Sequence, residues 1–194
     1  MCMKAYLIAA IMIIAVVFLL QRFPVTGAAA FQPIPIPVHA HIVTEPSGFY
    51  TSHQKPSNIA YLIKEANRIW EPASIEFRLE SVSITPLGSG TIPSAINSNL
   101  DGLEPVLIPG KVNLFFVQSL NNINGLTLVP IRSVLIADHT SVNTDRTVAH
   151  ELGHILGLGH VQESAYLMAQ GKNGELLSAG EIRFARENAL TQRT

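Results

Sequence analysis

The chain has 194 residues, with 13 lysines or arginines against 14 aspartates or glutamates, so its formal net charge at pH 7 is −1. This length fits one medium domain, alone or with a targeting segment, and the charge excludes the basic surface typical of nucleic-acid binding. Cys2 is the only cysteine, so the chain forms no internal disulfide.

The first thirty residues have the layout of a secretory signal peptide. A basic residue precedes an apolar run over residues 5–20, and small residues follow, among them Ala28 and Ala30. The sixteen residues of the run are fewer than the roughly 18–20 that cross a bilayer comfortably. We expect removal of residues 1–30 and a secreted or periplasmic domain. Retention as a membrane anchor through residues 5–20 is the alternative.

The next segments predict the start of an α/β domain. Residues 31–37, FQPIPIP, are rich in proline and predict an extended lead-in without regular structure before a domain over residues 38–194. VHAHIVT alternates apolar residues with histidines, which indicates a strand. From Ser57 to Trp70 apolar residues recur at three- and four-residue spacing, which predicts an amphipathic helix.

The middle and end of the chain complete the predicted sheet and its covering helices. We expect a strand with a bulge near Ser81, then a surface loop over residues 85–110 with at most one short helical turn. KVNLFFVQ predicts a buried central strand, and GLTLV and SVLIAD predict two short ones. Ser178 and Glu181 form a capping box for a closing helix. This order predicts a mixed α/β (α+β) architecture, a sheet with helices packed on it.

The stretch AHELGHILGLGH, residues 149–160, carries the residues with chemistry. His150 and His154 are four apart, so on a helix both imidazoles lie on one face and suit a zinc ion. His160 reaches the same ion only if the helix stops, and Gly157 accepts the left-handed conformation that stops it. Three histidines leave a fourth zinc position open, as in catalytic sites, and Glu151 is placed to act as general base towards a zinc-activated water.

These residues resemble a known family. His150, Glu151, His154, Gly157 and His160 match every fixed position of the HExxHxxGxxH pattern of the metzincin zinc endopeptidases. Met168, eight residues after His160, is similar to the methionine of the Met-turn at matrixin spacing.

The resemblance implies a fold, an activity and a substrate. The fold would be a mixed twisted sheet with an active-site helix, a Met-turn and a C-terminal helix. The activity would be hydrolysis of peptide bonds with one catalytic zinc ion, held by the three histidines. The substrate would be an extended peptide lying on an edge strand, around Leu126–Val129 or Val134–Ala137. Oligomeric state is left open.

Two departures from the family pattern leave the subfamily open. Val161 follows the third histidine, where matrixins usually have serine, astacins glutamate and adamalysins aspartate. Gln170 stands where astacins carry a tyrosine ligand, two residues past the methionine.

Three other interpretations compete with this one. Glu175 could replace His160 as third ligand, as in the gluzincins, although Asn173 and Gly174 before it indicate a turn. The domain could also be an exported zinc-binding or interaction module without catalysis. His39 and His41 could form a second metal site, but with no partner in the sequence we expect solvated or hydrogen-bonded histidines.

Overall fold

The structure is a computed structural model that describes residues 32–191. The predicted signal peptide, residues 1–30, lies outside the described residues. Within residues 32–191 no helix is long and apolar enough to cross a membrane.

One five-stranded sheet organises the domain, with strand order β2-β1-β3-β5-β4. All neighbouring strands are parallel except β4, which runs antiparallel to β5. The strands are β1 Ile34–Thr44, β2 Ile75–Pro86, β3 Val112–Val117, β4 Gly125–Leu128 and β5 Ser133–Ala137. The predicted mixed α/β architecture is therefore confirmed, and β2 and β4 are the two edges of the sheet.

In the part of the chain that the structure describes, four helices accompany the sheet: α1 Pro56–Trp70, α2 Thr91–Ile96, α3 Thr144–Ile155 and α4 Ala179–Thr191. Three short 3-10 turns lie at Glu71–Ala73, Glu104–Val106 and Val129–Ile131. The apolar stripe predicted for α1 is buried from Ile59 to Trp70. The capping box of α4 is confirmed, because Ser178 N–H donates to Glu181 over 2.7 Å and Glu181 N–H donates to the Ser178 hydroxyl over 3.2 Å.

The prediction of an irregular lead-in over residues 31–37 is wrong, because β1 begins at Ile34. Ile34 N–H donates to Ser74 O on the β2 side. Backbone N–H directions alternate along a strand, so the backbone nitrogens of Pro35 and Pro37 point to the opposite side, towards β3. On that side pairing with β3 begins only at Val38. The missing proline N–H groups therefore face no partner strand, and the sheet tolerates both prolines.

The predicted bulge is confirmed beside Ser81. Val38 pairs with Leu79 and His39 pairs with Ser81, which leaves Glu80 as the extra residue of β2.

The loop predicted over residues 85–110 is more ordered than expected. It contains α2 and a 3-10 turn, and its buried residues Leu87, Ile92 and Leu103 join Phe115 in a second core. The main core lies on the opposite face of the sheet, against α1, α3 and α4. All residues of β3 are buried, so both faces of this strand need a cover. The segment over residues 87–107 covers the second face and excludes water from it, although its apolar content is low.

Candidate metal centre

The end of helix α3 sets the geometry of the centre. Leu158 N–H donates to Gly153 O over 3.0 Å and Gly157 N–H donates to His154 O over 2.9 Å, which together form a Schellman turn. Gly157 has a φ of +82°, as the turn requires. The helix therefore stops one residue after His154, at Ile155, and the chain reverses.

This reversal brings three imidazoles together. Nε2 of His160 lies 3.2 Å from Nε2 of His150 and 3.1 Å from Nε2 of His154. Ligands about 2.0–2.1 Å from one zinc ion in a tetrahedron are about 3.3–3.4 Å apart. Of the described histidines, cysteines, aspartates and glutamates, only these three form such a group.

The protonation of the histidines fits metal binding. Nδ1 of His150 donates to Leu167 O and Nδ1 of His154 donates to Leu158 O, each over 2.8 Å. Because a carbonyl only accepts, each Nδ1 carries the ring proton and each Nε2 presents a lone pair to the cluster. Burial lowers the pKa of His150 to about 4, and it also lowers the pKa of His154 and His160. Neutral converging imidazoles are a donor set for zinc.

The Glu151 carboxylate lies beside the cluster and is held by the edge strand. Thr127 Oγ1 is 2.7 Å from Glu151 Oε2 and 3.0 Å from Glu151 O. Gly125 lies beneath the side chain, where a Cβ would be 2.7 Å from Glu151 Cγ. Burial raises the pKa of Glu151, opposed by the Thr127 hydrogen bond and by the charges of His160 and Arg146. Oε1 makes no hydrogen bond to the described residues.

The segment after His160 forms a support under the cluster. Met168 is fully buried, and its Sδ packs so close to Gly153 that a Cβ there would be 2.6 Å away. Val161 N–H donates to Met168 O over 3.1 Å and closes the turn. This contact uses the backbone N–H of Val161 and not its side chain.

A buried arginine binds the same support. Arg146 lies one helical turn before His150, on the same face of α3. Its Nη2 donates to Leu167 O and Ala169 O, and its Nε donates to Gly174 O over 3.3 Å. Leu167 O thus accepts from both Arg146 and His150.

A cleft of about 750 Å³ opens over the cluster. Its lining comes from β4 with residues 122–124, from α3 with residues 157–160, and from residues 170–171. Of the two strands proposed to hold a peptide, β5 lies between β3 and β4, so only β4 offers a free edge.

The structure separates the competing candidates from the cluster. Glu175 pairs with Arg68 over 2.9 Å and is not part of the group of three histidines. His39 bonds to the hydroxyls of Ser81 and Ser83, while His41 bonds to Thr85 Oγ1 and Asn113 Oδ1. Both rings are buried and hydrogen-bonded on both nitrogens, which agrees with the expectation of hydrogen-bonded histidines.

Three residues of the site were missed from sequence. Thr127 and Gly125 lie about 25 residues before Glu151, so only the sheet brings them to it. Arg146 did carry a signal, because a residue four before His150 shares its helix face.

Comparisons with known proteins bear on the fold. No protein-family model and no curated protein matches the sequence. The crystal structure of archaemetzincin from Methanopyrus kandleri is similar, with a TM-score of 0.56 and 13% identity over 84% of this chain and 98% of that one. Weaker similarities are to metalloproteinase-II from Bacteroides fragilis (TM-score 0.47, 16% identity, 83% of this chain and 55% of that one) and to a zinc-dependent peptidase from Methanocorpusculum labreanum (0.46, 13%, 81% and 100%).

The similarity to archaemetzincin shows that the described domain shares the fold of that protein. The predicted fold is confirmed, and the three histidines form a centre that suits zinc.

Proposed function

We propose that the protein is a zinc-dependent endopeptidase of metzincin type, similar to the matrixins, that acts outside the cytoplasm. The observation that carries this proposal is the convergence of His150, His154 and His160 beside the Glu151 carboxylate, in a cleft bordered by a free strand edge. The three Nε2 atoms would hold the metal. When bound, zinc would polarise a carbonyl and acidify a water molecule.

The side chains supply the remaining steps. Glu151 accepts a proton on Oε1 from the attacking water, because Oε2 is bonded to Thr127, and it delivers that proton to the leaving amine. The outer edge of β4 binds the substrate backbone in an extended conformation, next to the cluster. Such an open edge accepts an internal segment of a chain, which favours an endopeptidase.

The decisive experiment separates chemistry from metal binding. The domain is expressed from residue 32, loaded with zinc, and tested on a denatured protein and a peptide library. We expect cleavage that stops on chelation, and Glu151→Ala to retain zinc while losing about 10²–10⁴-fold in rate. Wild-type protein that binds zinc without cleaving any substrate would instead support the non-catalytic module.

The third ligand is tested by a matched pair of variants. His160→Ala is expected to lower zinc occupancy, because it removes one of three donors, whereas Glu175→Ala should leave it unchanged. If Glu175→Ala loses zinc and His160→Ala keeps it, the gluzincin alternative is correct. Sequencing the amino terminus of the protein secreted by its host tests the proposed removal of residues 1–30.

A further inference from the structure

The two charged residues of the cleft lie on opposite sides of it. Of the residues that line the cleft, Arg146 is the only lysine or arginine and Glu151 is the only aspartate or glutamate. Glu151 leans towards β4, over Gly125 and against Thr127. Arg146 lies one turn earlier on α3 and bonds to the carbonyls of Leu167, Ala169 and Gly174, away from β4. The cleft therefore has an anionic side and a cationic side.

The Arg146 guanidinium is nine-tenths buried or more and has donor capacity left. The residue is 2% exposed, and Nη2 and Nε are the nitrogens that bind the three carbonyls. Nη1 makes no hydrogen bond to the described residues, and it is not completely enclosed by protein atoms. Arg146 is one of the residues that line the cleft.

The other groups near Arg146 do not neutralise this side of the cleft. Glu151 and Glu175 are both close enough to act on the guanidinium electrostatically, but neither makes an ion pair with it. The Glu151 carboxylate is bound to Thr127 over 2.7 Å, and that of Glu175 is paired with Arg68 over 2.9 Å. Ser141, Thr147 and Gln170, which also line the cleft, are uncharged donors or acceptors. Arg146 also lies in the first turn of α3, where the helix dipole favours a negative charge.

We propose that Arg146 is a specificity-determining residue that selects substrates with an aspartate or glutamate side chain next to the scissile bond. A carboxylate that enters the cationic side would accept a charge-assisted hydrogen bond from Nη1 in a site with little water. The uncharged amide of the same shape would accept only an ordinary hydrogen bond from Nη1 and would bring no charge to pair with the guanidinium. This inference rests on the proposed peptidase activity, and it adds the class of substrate.

The test compares peptides that differ only by glutamate against glutamine. The best cleaved library peptide is synthesised with each residue in turn at the two positions flanking the cleaved bond. At one of them we expect the glutamate peptide to have a kcat/KM about tenfold higher or more, which is the effect of one hydrogen bond between charged groups. Equal cleavage at both positions, or a preference for glutamine, overturns the proposal.

Variants attribute the preference to Arg146. Arg146→Gln should remove the discrimination, and Arg146→Lys should keep part of it because the charge remains. Arg186→Gln is the matched control, since Arg186 also binds backbone carbonyls, at Ala73 and Ser74, and does not line the cleft. An unchanged glutamate preference in folded Arg146→Gln overturns the proposal.

A binding measurement keeps this proposal separate from the peptidase activity. Zinc-loaded Glu151→Ala is titrated calorimetrically with the same two peptides, and we expect the glutamate peptide to bind about tenfold more tightly. Discrimination in binding without cleavage by the wild type contradicts the proposed function and supports the role of Arg146. Cleavage by the wild type with equal affinities supports the function and refutes that role.

Discussion

At the scale of single residues, the site depends on groups that orient the reactive atoms. Each of His150 and His154 has its tautomer set by a backbone carbonyl, and the Glu151 carboxylate is set by Thr127. These contacts fix which nitrogen carries a lone pair and which carboxylate oxygen is free. Orientation of this kind lowers the cost of reaching a reactive geometry.

Removal of the Thr127 hydroxyl tests this role. Thr127→Val keeps the shape of the side chain and removes the 2.7 Å hydrogen bond to Glu151. We expect kcat to fall about tenfold, with zinc content and KM nearly unchanged, because only the base loses its orientation. Thr127→Ser retains the hydroxyl and should restore most of the rate. Equal rates for the valine and serine variants in steady-state kinetics would contradict a positioning role.

At the scale of elements, the end of helix α3 matters as much as its ligands. The Schellman turn at Gly157 reverses the chain towards His160, and it also presents the Leu158 carbonyl that orients His154. Helix α4 supports the turn, since Asn188 Nδ2 donates to Leu156 O over 2.8 Å. One local structure thus orients two of the three imidazoles.

Substitution of the two neighbouring glycines separates this turn from ordinary helix propensity. Gly157→Ala places a Cβ at a φ of +82° and 2.6 Å from Asn188 Nδ2. We expect a loss of about 2 kcal/mol in the free energy of unfolding and weaker zinc binding, since the left-handed conformation and the contact are both unfavourable. Urea unfolding and zinc titration measure the two effects.

Gly159→Ala is the control for this experiment. No atom lies within 4 Å of a Cβ at this position, so stability and zinc affinity should change little. The proposed importance of the Gly157 turn would be refuted if both alanine variants matched the wild type.

At the scale of the whole molecule, the sheet separates two environments. One face packs against α1, α3 and α4, while the other is covered by residues 87–107 and holds the buried His41. The His41 ring stacks on Phe115 at 4.1 Å and bonds to Thr85 and Asn113, next to the His39 ring. A neutral imidazole is therefore part of the packing against the second core.

This histidine makes stability depend on pH. Burial, with a smaller effect from His39, lowers the pKa of His41 to about 4, against an opposing hydrogen bond with Asn113. As pH falls from about 6.5 to about 4, the unfolded chain binds a proton that the folded chain does not. The free energy of unfolding therefore decreases across this window, by roughly 3 kcal/mol, and the contribution is fully present above pH 6.5.

Urea unfolding with a chelator present measures this contribution. Between pH 7.5 and pH 4.5 the wild type should lose more stability than His41→Gln, which has no imidazole to protonate. His53→Gln is the matched control, because the His53 side chain is 70% exposed. A wild type and a His41→Gln variant with the same pH dependence would show that His41 is not the titrating group.

Local patterns in the sequence predicted most of the elements. Helix α1, the capping box of α4 and the bulge near Ser81 each depend on residues close together in the chain, whose spacing indicates the structure directly. The start of β1 was missed because prolines usually indicate irregular structure. A strand tolerates them where no neighbouring strand needs their N–H groups, and here the register between β1 and β3 leaves Pro35 and Pro37 without such a neighbour. The order within residues 87–107 was missed because it follows from the need to cover β3.

The same division holds for the site. The sequence by itself determined the spacing of His150, His154, Gly157 and His160, because helical periodicity and one left-handed glycine place them within a single turn and its reversal. Only the tertiary structure decided that β4 rather than β5 is the free edge, that Thr127 holds Glu151, and that Arg146 shares the Leu167 carbonyl with His150. These contacts join residues far apart in the chain, and the order of strands in the sheet sets which of them meet.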